Sequence, residues 1–115
     1  MTKTQIDYEW KCFDIQCEEG PATVWGPVSH GYGLHWVREG GGDSFVVTHL
    51  KSGFRVPKFT FSDHAIACLD HIVKNLPETG DMDVVEAGNI LKSDPTVIGL
   101  LYRDAVIRNL GIKSV

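Results

Sequence analysis

Residues 44–77 read SFVVTHLKSGFRVPKFTFSDHAIACLDHIVKNLP, and the hydrophobic period changes inside this stretch. Ser44 to Leu50 is rich in β-branched and aromatic residues (Phe45, Val46, Val47, Thr48), the composition of a strand. Lys51-Ser52-Gly53 reads as a tight turn, and Phe54 to Phe61 as the strand that follows. Pro57 has no N–H to give to a neighbouring strand, so it predicts an edge position or a bulge. Beyond Phe61 the alternation stops. Ile66, Leu69, Ile72, Val73 and Leu76 recur at helical spacing. Ser62 or Asp63 is placed to cap a helix over His64 to Asn75, which Pro77 ends.

Toward the N-terminus the strand pattern continues. Met1 to Asp7 is a loose polar start, and Tyr8 to Cys17 alternates as a strand. Glu18-Glu19-Gly20-Pro21 is a turn cluster, followed by a short run at Ala22 to Trp25 that Gly26-Pro27 breaks. Gly33 to Glu39 is the next strand, and the glycines at 40–42 with Asp43 join it to Ser44 as a hairpin. Toward the C-terminus, Glu78 to Asp81 is a polar loop and Val84 to Leu91 a short helix. Asp94-Pro95 opens a helix that runs to Leu110, with Gly111 as its stop. The expected fold is α+β: an antiparallel β-meander of four to five strands over 1–61, then about three helices over 62–115 packed on one face, in a single domain.

Composition bounds the function. The 115 residues carry a net charge of −4, and Lys and Arg are scattered, which argues against a nucleic-acid face. No apolar run is long enough to cross a bilayer, and Met1 to Trp10 lacks a signal-peptide core. Three cysteines, Cys12, Cys17 and Cys68, make no disulfide framework, so the expected setting is the cytoplasm.

Five features offer chemistry. His64, Cys68 and His71 stand at i, i+4 and i+7, on a face of the helix opposite its core stripe. Imidazole and thiolate ligate zinc, but a structural site needs a fourth ligand that no neighbouring cluster supplies. The same trio offers a Cys–His nucleophile pair, with no oxyanion hole marked and Asp63 and Asp70 close by to raise the thiol pKa. His30-Gly31-Tyr32-Gly33-Leu34-His35 is glycine-rich, yet it runs into a strand, where a phosphate loop runs into a helix. His35 and His49 lie on strands expected to pair, in reach of facing each other as satisfied or solvated histidines, with a metal pair as the lesser alternative.

The remaining features suit a partner. Of the aromatics Trp10, Trp25, Tyr32 and Trp36, Trp36 is expected in the core and Trp25, beside Gly26-Pro27, at the surface. The last helix is apolar around most of its circumference, so the preceding helix or another subunit must cover it. Trp25, Tyr32, Leu100, Leu101 and Ile107 are the residues expected to meet a partner or a second copy. Glu78, Asp81, Asp83 and Glu86 form an acidic stretch suited to solvent or a helix N-terminus.

Two resemblances add expectations. Val84-Val85-Glu86-Ala87-Gly88-Asn89-Ile90-Leu91 followed by Ser93-Asp94-Pro95-Thr96-Val97 resembles a helix-turn-helix of bacterial regulators. It departs from that pattern in a short turn, and in Ile98, Leu100 and Leu101 standing where base-reading side chains belong. Residues 47–56, from Val47 to Val56, then Phe61 and the helix with Ala65 and Ala67, are similar to small proteins of phages and other bacterial mobile elements. That likeness implies an accessory protein that binds and blocks a host protein, including components of defence systems such as CRISPR. The leading expectation is a non-enzymatic protein-binding module with no cofactor, forming homo-oligomers or meeting a host protein. A nucleic-acid-binding regulator and a metal- or thiol-dependent enzyme are the alternatives.

Overall fold

The computed structural model describes residues 8–17, 19–39 and 42–110. Five strands come first: β1 (Glu9–Cys17), β2 (Gly20–Ser29), β3 (Tyr32–Glu39), β4 (Gly42–His49) and β5 (Phe54–Phe59). Three α-helices follow: α1 (Ser62–Asn75), α2 (Val84–Ser93) and α3 (Pro95–Asn109). The strands form one antiparallel sheet in the order β1-β2-β3-β4-β5, so the fold is the α+β meander that the change of period implies. The polar start at 1–7, the hairpin glycines at 40–41 and the helix stop at Gly111 lie outside the described residues.

The helices cover one face of the sheet. Tyr32, Val47 and Phe59 meet Ala65, Cys68, Leu69, Ile72 and Val73 of α1, with Leu91 of α2 and Val97 of α3 behind them. A fully buried side chain such as Ile72 contributes about 2 kcal/mol through the water it sheds. Pro57 sits as expected: β5 is the last strand of the order, and its pairing with β4 slips between Val46 and Thr48.

The other face is covered by β1 and β2. These two pair along their whole length, yet β2 meets β3 only at Val28–Gly33 and Ser29–Tyr32. Beyond that point the β1–β2 ribbon turns back over the sheet. Buried Phe13 sits on Gly33, where any Cβ would come within 2.7 Å of its ring. At the ribbon's far end, the Gln16 N–H donates to the Gly53 carbonyl at 2.8 Å. The break expected at Gly26-Pro27 is absent, and β2 runs straight through it. Glycine is required there because the backbone passes over the Leu34 carbonyl, 1.9 Å from where a Cβ would stand.

Helix capping departs from the sequence reading at α1. Asp94 accepts from the N–H groups of Thr96 and Val97 and opens α3 with Pro95 behind it, as expected. Asp83 accepts from Val85 N and opens α2. Neither Ser62 nor Asp63 caps α1, which starts at Ser62 after Phe61. Asp104 of α3 instead holds the junction ahead of the helix, accepting from Thr60 N at 2.9 Å and Phe61 N at 3.1 Å. The loop expected over Glu78 to Asp81 is a 3-10 turn, Pro77–Asp81, with Thr79 and Gly80 buried. No helix among the described residues is long and apolar enough to cross a membrane.

Candidate functional site

Helix α1 lies between the sheet and α3, and this decides the fate of His64, Cys68 and His71. With two sides covered, the face opposite the Leu69–Val73 stripe is not a solvent face. His64 is buried with Nδ1 2.8 Å from Asp104 Oδ1. His71 places Nε2 2.9 Å from Asp94 Oδ1, and its Nδ1 is 3.1 Å from the Asn75 amide nitrogen. Cys68, between them, belongs to the apolar core. Burial pushes its thiol up to about 12, and the charge of Asp94 adds to the effect. The expected cause, Asp63 and Asp70, is replaced by desolvation. Each histidine is engaged by a carboxylate and the cysteine is enclosed. Among the described residues, no group of three or more His, Cys, Asp and Glu is placed to hold a metal ion.

Asp94 therefore does two things, capping α3 and holding α1. Its burial raises the carboxyl pKa. The N–H of Val97, the neighbouring His71 and the N–H of Thr96 outweigh that, and the carboxyl lies below its ordinary range.

Tyr32 is corrected from a partner-binding residue to a core residue. It is fully buried, with its hydroxyl 2.6 Å from Thr79 Oγ1 and its ring against His49 at 5.7 Å. His49 is held in turn by Ser52 Oγ at 3.0 Å and the Thr79 carbonyl at 3.2 Å. His35 does not face His49. The register sets His49 against Tyr32 and His35 against Val46, which puts the histidines on opposite faces of the sheet. His35 lies under the β1–β2 ribbon, edge-on to Phe13 at 5.9 Å, and burial followed by the charge of Arg55 pulls its pKa down. Its Nδ1 and Thr48 Oγ1 are buried polar atoms without a hydrogen-bond partner among the described residues. His30-Gly31 is the tight turn between β2 and β3, both at positive φ, so the glycine-rich segment serves as a hairpin turn.

The tryptophans all stand at the surface. Trp25 is 59% exposed, as predicted, and stands 6.4 Å from the equally exposed Trp10. Trp36, expected in the core, is 55% exposed with the Arg38 guanidinium 5.5 Å over its ring. It lies two residues past Leu34, outside the buried stretch of β3.

Helix α3 carries a run of uncovered apolar side chains. Only Val97 and Asp104 of this helix are buried; Leu100 packs half-buried on the core, and Ile107 is half-buried. Ile98, Leu101, Tyr102 and Val106 lie open, with Tyr102 at 72%. Helix α2 does not cover them. It stands beside α3, and with β5 the two helices enclose a cleft of about 270 Å3 lined by Val56, Pro57, Val85, Gly88, Leu91 and Leu101. Val85 and the cleft escaped the sequence reading, as did Asp104, whose one signal is that it is the lone carboxylate inside an apolar helix. Asp94 alone joins α2 to α3, and the first turns of α3 present Ile98 beside buried Val97. Compared with protein-family models, curated proteins and solved structures, the chain matches none.

Proposed function

We propose that this chain is a non-enzymatic protein-binding module whose contact surface is the open side of α3 with the adjoining α2–β5 cleft. One observation carries the reading: Ile98, Leu101, Tyr102 and Val106 form an exposed apolar stripe on a helix that cannot roll to bury them. Asp104 and Asp94 fasten the other side of α3 to His64 and His71 of α1, at 2.8 and 2.9 Å. Burying those side chains against a partner gains roughly 25 cal/mol per Å2 of apolar surface. Exposed stripes of this kind mark interaction sites. Leu101 lines the cleft, and Trp25 supplies a separate exposed anchor on the ribbon. The likeness to small mobile-element proteins makes a host protein the natural partner, with inhibition the consequence of occupying its surface.

The test is affinity capture from a lysate of the source organism, using the full chain and Ile98→Asp in parallel. A stoichiometric protein held by the first and released by the second supports the reading. Equal capture by both, or by neither, overturns it. Circular dichroism of the variant should match the parent, because Ile98 is exposed.

A further inference from the structure

We propose that the occupant of this surface is an acidic amphipathic segment of another protein, laid along the seam between β5 and α3. The inference rests on the protein-binding reading above and specifies the partner's chemistry. The seam begins at the cleft, whose floor is Val56, Pro57, Leu91 and Leu101. Past the second half of β5 lies a separate open depression, lined by Lys58, Phe59, Thr60 and Arg108 with Asp43 and Ser44 at the start of β4. Helical segments bind such seams by laying apolar side chains at i, i+3, i+4 and i+7 into the floor. Helix α3 has fifteen residues and is about 22 Å long, which matches a partner helix of roughly the same length.

Charge selects the partner. The protein carries a net charge of −4, yet cations collect along this seam. Lys92 stands at the cleft end and Arg108 at the other, where its Nη1 is 3.5 Å from Thr60 Oγ1. Arg55 and Lys58 line the two halves as well, each also making contacts within the chain. Among the described residues lining the seam, the carboxylate is Asp43, and Arg38 holds it at 3.4 Å. An apolar floor edged by cations is complementary to a segment with an apolar face and acidic flanks. A second copy fits poorly: a two-fold contact along α3 sets the cation at either end of one seam against a cation of the other. The apolar floor also offers a phosphate backbone little to hold.

The experiment uses the full chain and two labelled peptides of roughly 16 residues. Both carry leucines at i, i+3, i+4 and i+7; one has glutamates elsewhere and its twin has lysines. The acidic peptide is expected to bind roughly tenfold tighter than its twin, and to weaken as salt rises from about 50 to 500 mM. Amide shifts should move on α3 and β5. Leu101→Glu should abolish binding, and the pair Lys92→Glu with Arg108→Glu should reverse the preference toward the lysine peptide. Lys11→Ala, on the exposed face of β1, should change neither. The proposal is overturned if the lysine peptide binds as well, if neither binds, if Leu101→Glu still binds, or if a single-stranded oligonucleotide of equal charge binds more tightly. A dimer in sedimentation that Leu101→Glu dissociates overturns it in favour of a second copy. Lysate capture separates the two readings: an Ile98-dependent protein with no acidic-peptide binding leaves the module standing and removes only the partner's charge.

Discussion

Asp104 and His64 join the last helix to the first, Oδ1 to Nδ1 at 2.8 Å, with Asp104 only 3% exposed. The same carboxylate accepts from Thr60 N and Phe61 N, so it also fixes the junction from β5 into α1, which has no side-chain cap of its own. Removing it strands two backbone N–H groups and one imidazole in the interior. Asp104→Ala is expected to cost about 3 kcal/mol or more in urea unfolding. Asp104→Asn keeps an acceptor oxygen and should cost about half as much. A loss under about 1 kcal/mol for the alanine variant would show that α1 starts without help from α3.

Asp94 and His71 make the second link, and this one carries a pH signature. The Asp94 carboxyl lies below its ordinary range because the Val97 N–H, His71 and the Thr96 N–H outweigh the opposing effect of burial. A depressed carboxylate stabilises the fold fully above its unfolded pKa of about 3.9, and loses that contribution as pH falls through the folded value. Asp94→Asn keeps a capping oxygen but cannot titrate in this range. The stability gap between parent and variant should hold steady near neutral pH and close below about pH 4. A gap that stays constant in acid would remove the charge of Asp94 from the account.

Cys68 is buried beside Leu69 and Ile72, with its thiol pushed up to about 12 chiefly by burial, whereas Cys12 and Cys17 are exposed. At about pH 8 a thiol-reactive disulfide reagent should modify Cys12 and Cys17 in the folded protein and reach Cys68 only after denaturant is added. Rapid modification of Cys68 in the native state would contradict its enclosure between the sheet and α3.

These two links and the enclosed Cys68 mark where sequence reasoning succeeds and where it stops. The strands were legible because alternation and the Gly53 turn are local signals. The cap at Asp94 was legible because its carboxylate lies within three residues of the N–H groups it holds, whereas Asp83, equally local, was read only as part of an acidic stretch. Asp104 lies forty-three residues from Phe61, and no period or motif connects them. Periodicity places Cys68 on one face of α1 but cannot say that α3 covers that face. Tyr32 failed for the same reason, since its hydroxyl is satisfied by Thr79, forty-seven residues away. On α3 the pattern did signal a surplus of apolar residues. Which of them stay open depends on the two histidine–aspartate links, which only folding creates.

Gly80 and Gly99 separate a packing glycine from a permissive one. Gly80 sits under the β2–β3 turn, where an added Cβ would come within 2.1 Å of the His30 carbonyl oxygen. That oxygen is backbone, and the turn carrying it is itself fixed by positive φ at His30 and Gly31. Neither side can yield cheaply, so Gly80→Ala should cost about 1–3 kcal/mol. Gly99 lies within α3, with nothing inside 4 Å of the place an added methyl would take, so Gly99→Ala should gain about 0.5–1 kcal/mol from helix propensity alone. Urea midpoints with unchanged slopes would measure both. The opposite signs are the decisive result: if both variants gain stability, the 3-10 turn does not press against the hairpin, and Thr79 loses its role in holding Tyr32 and His49.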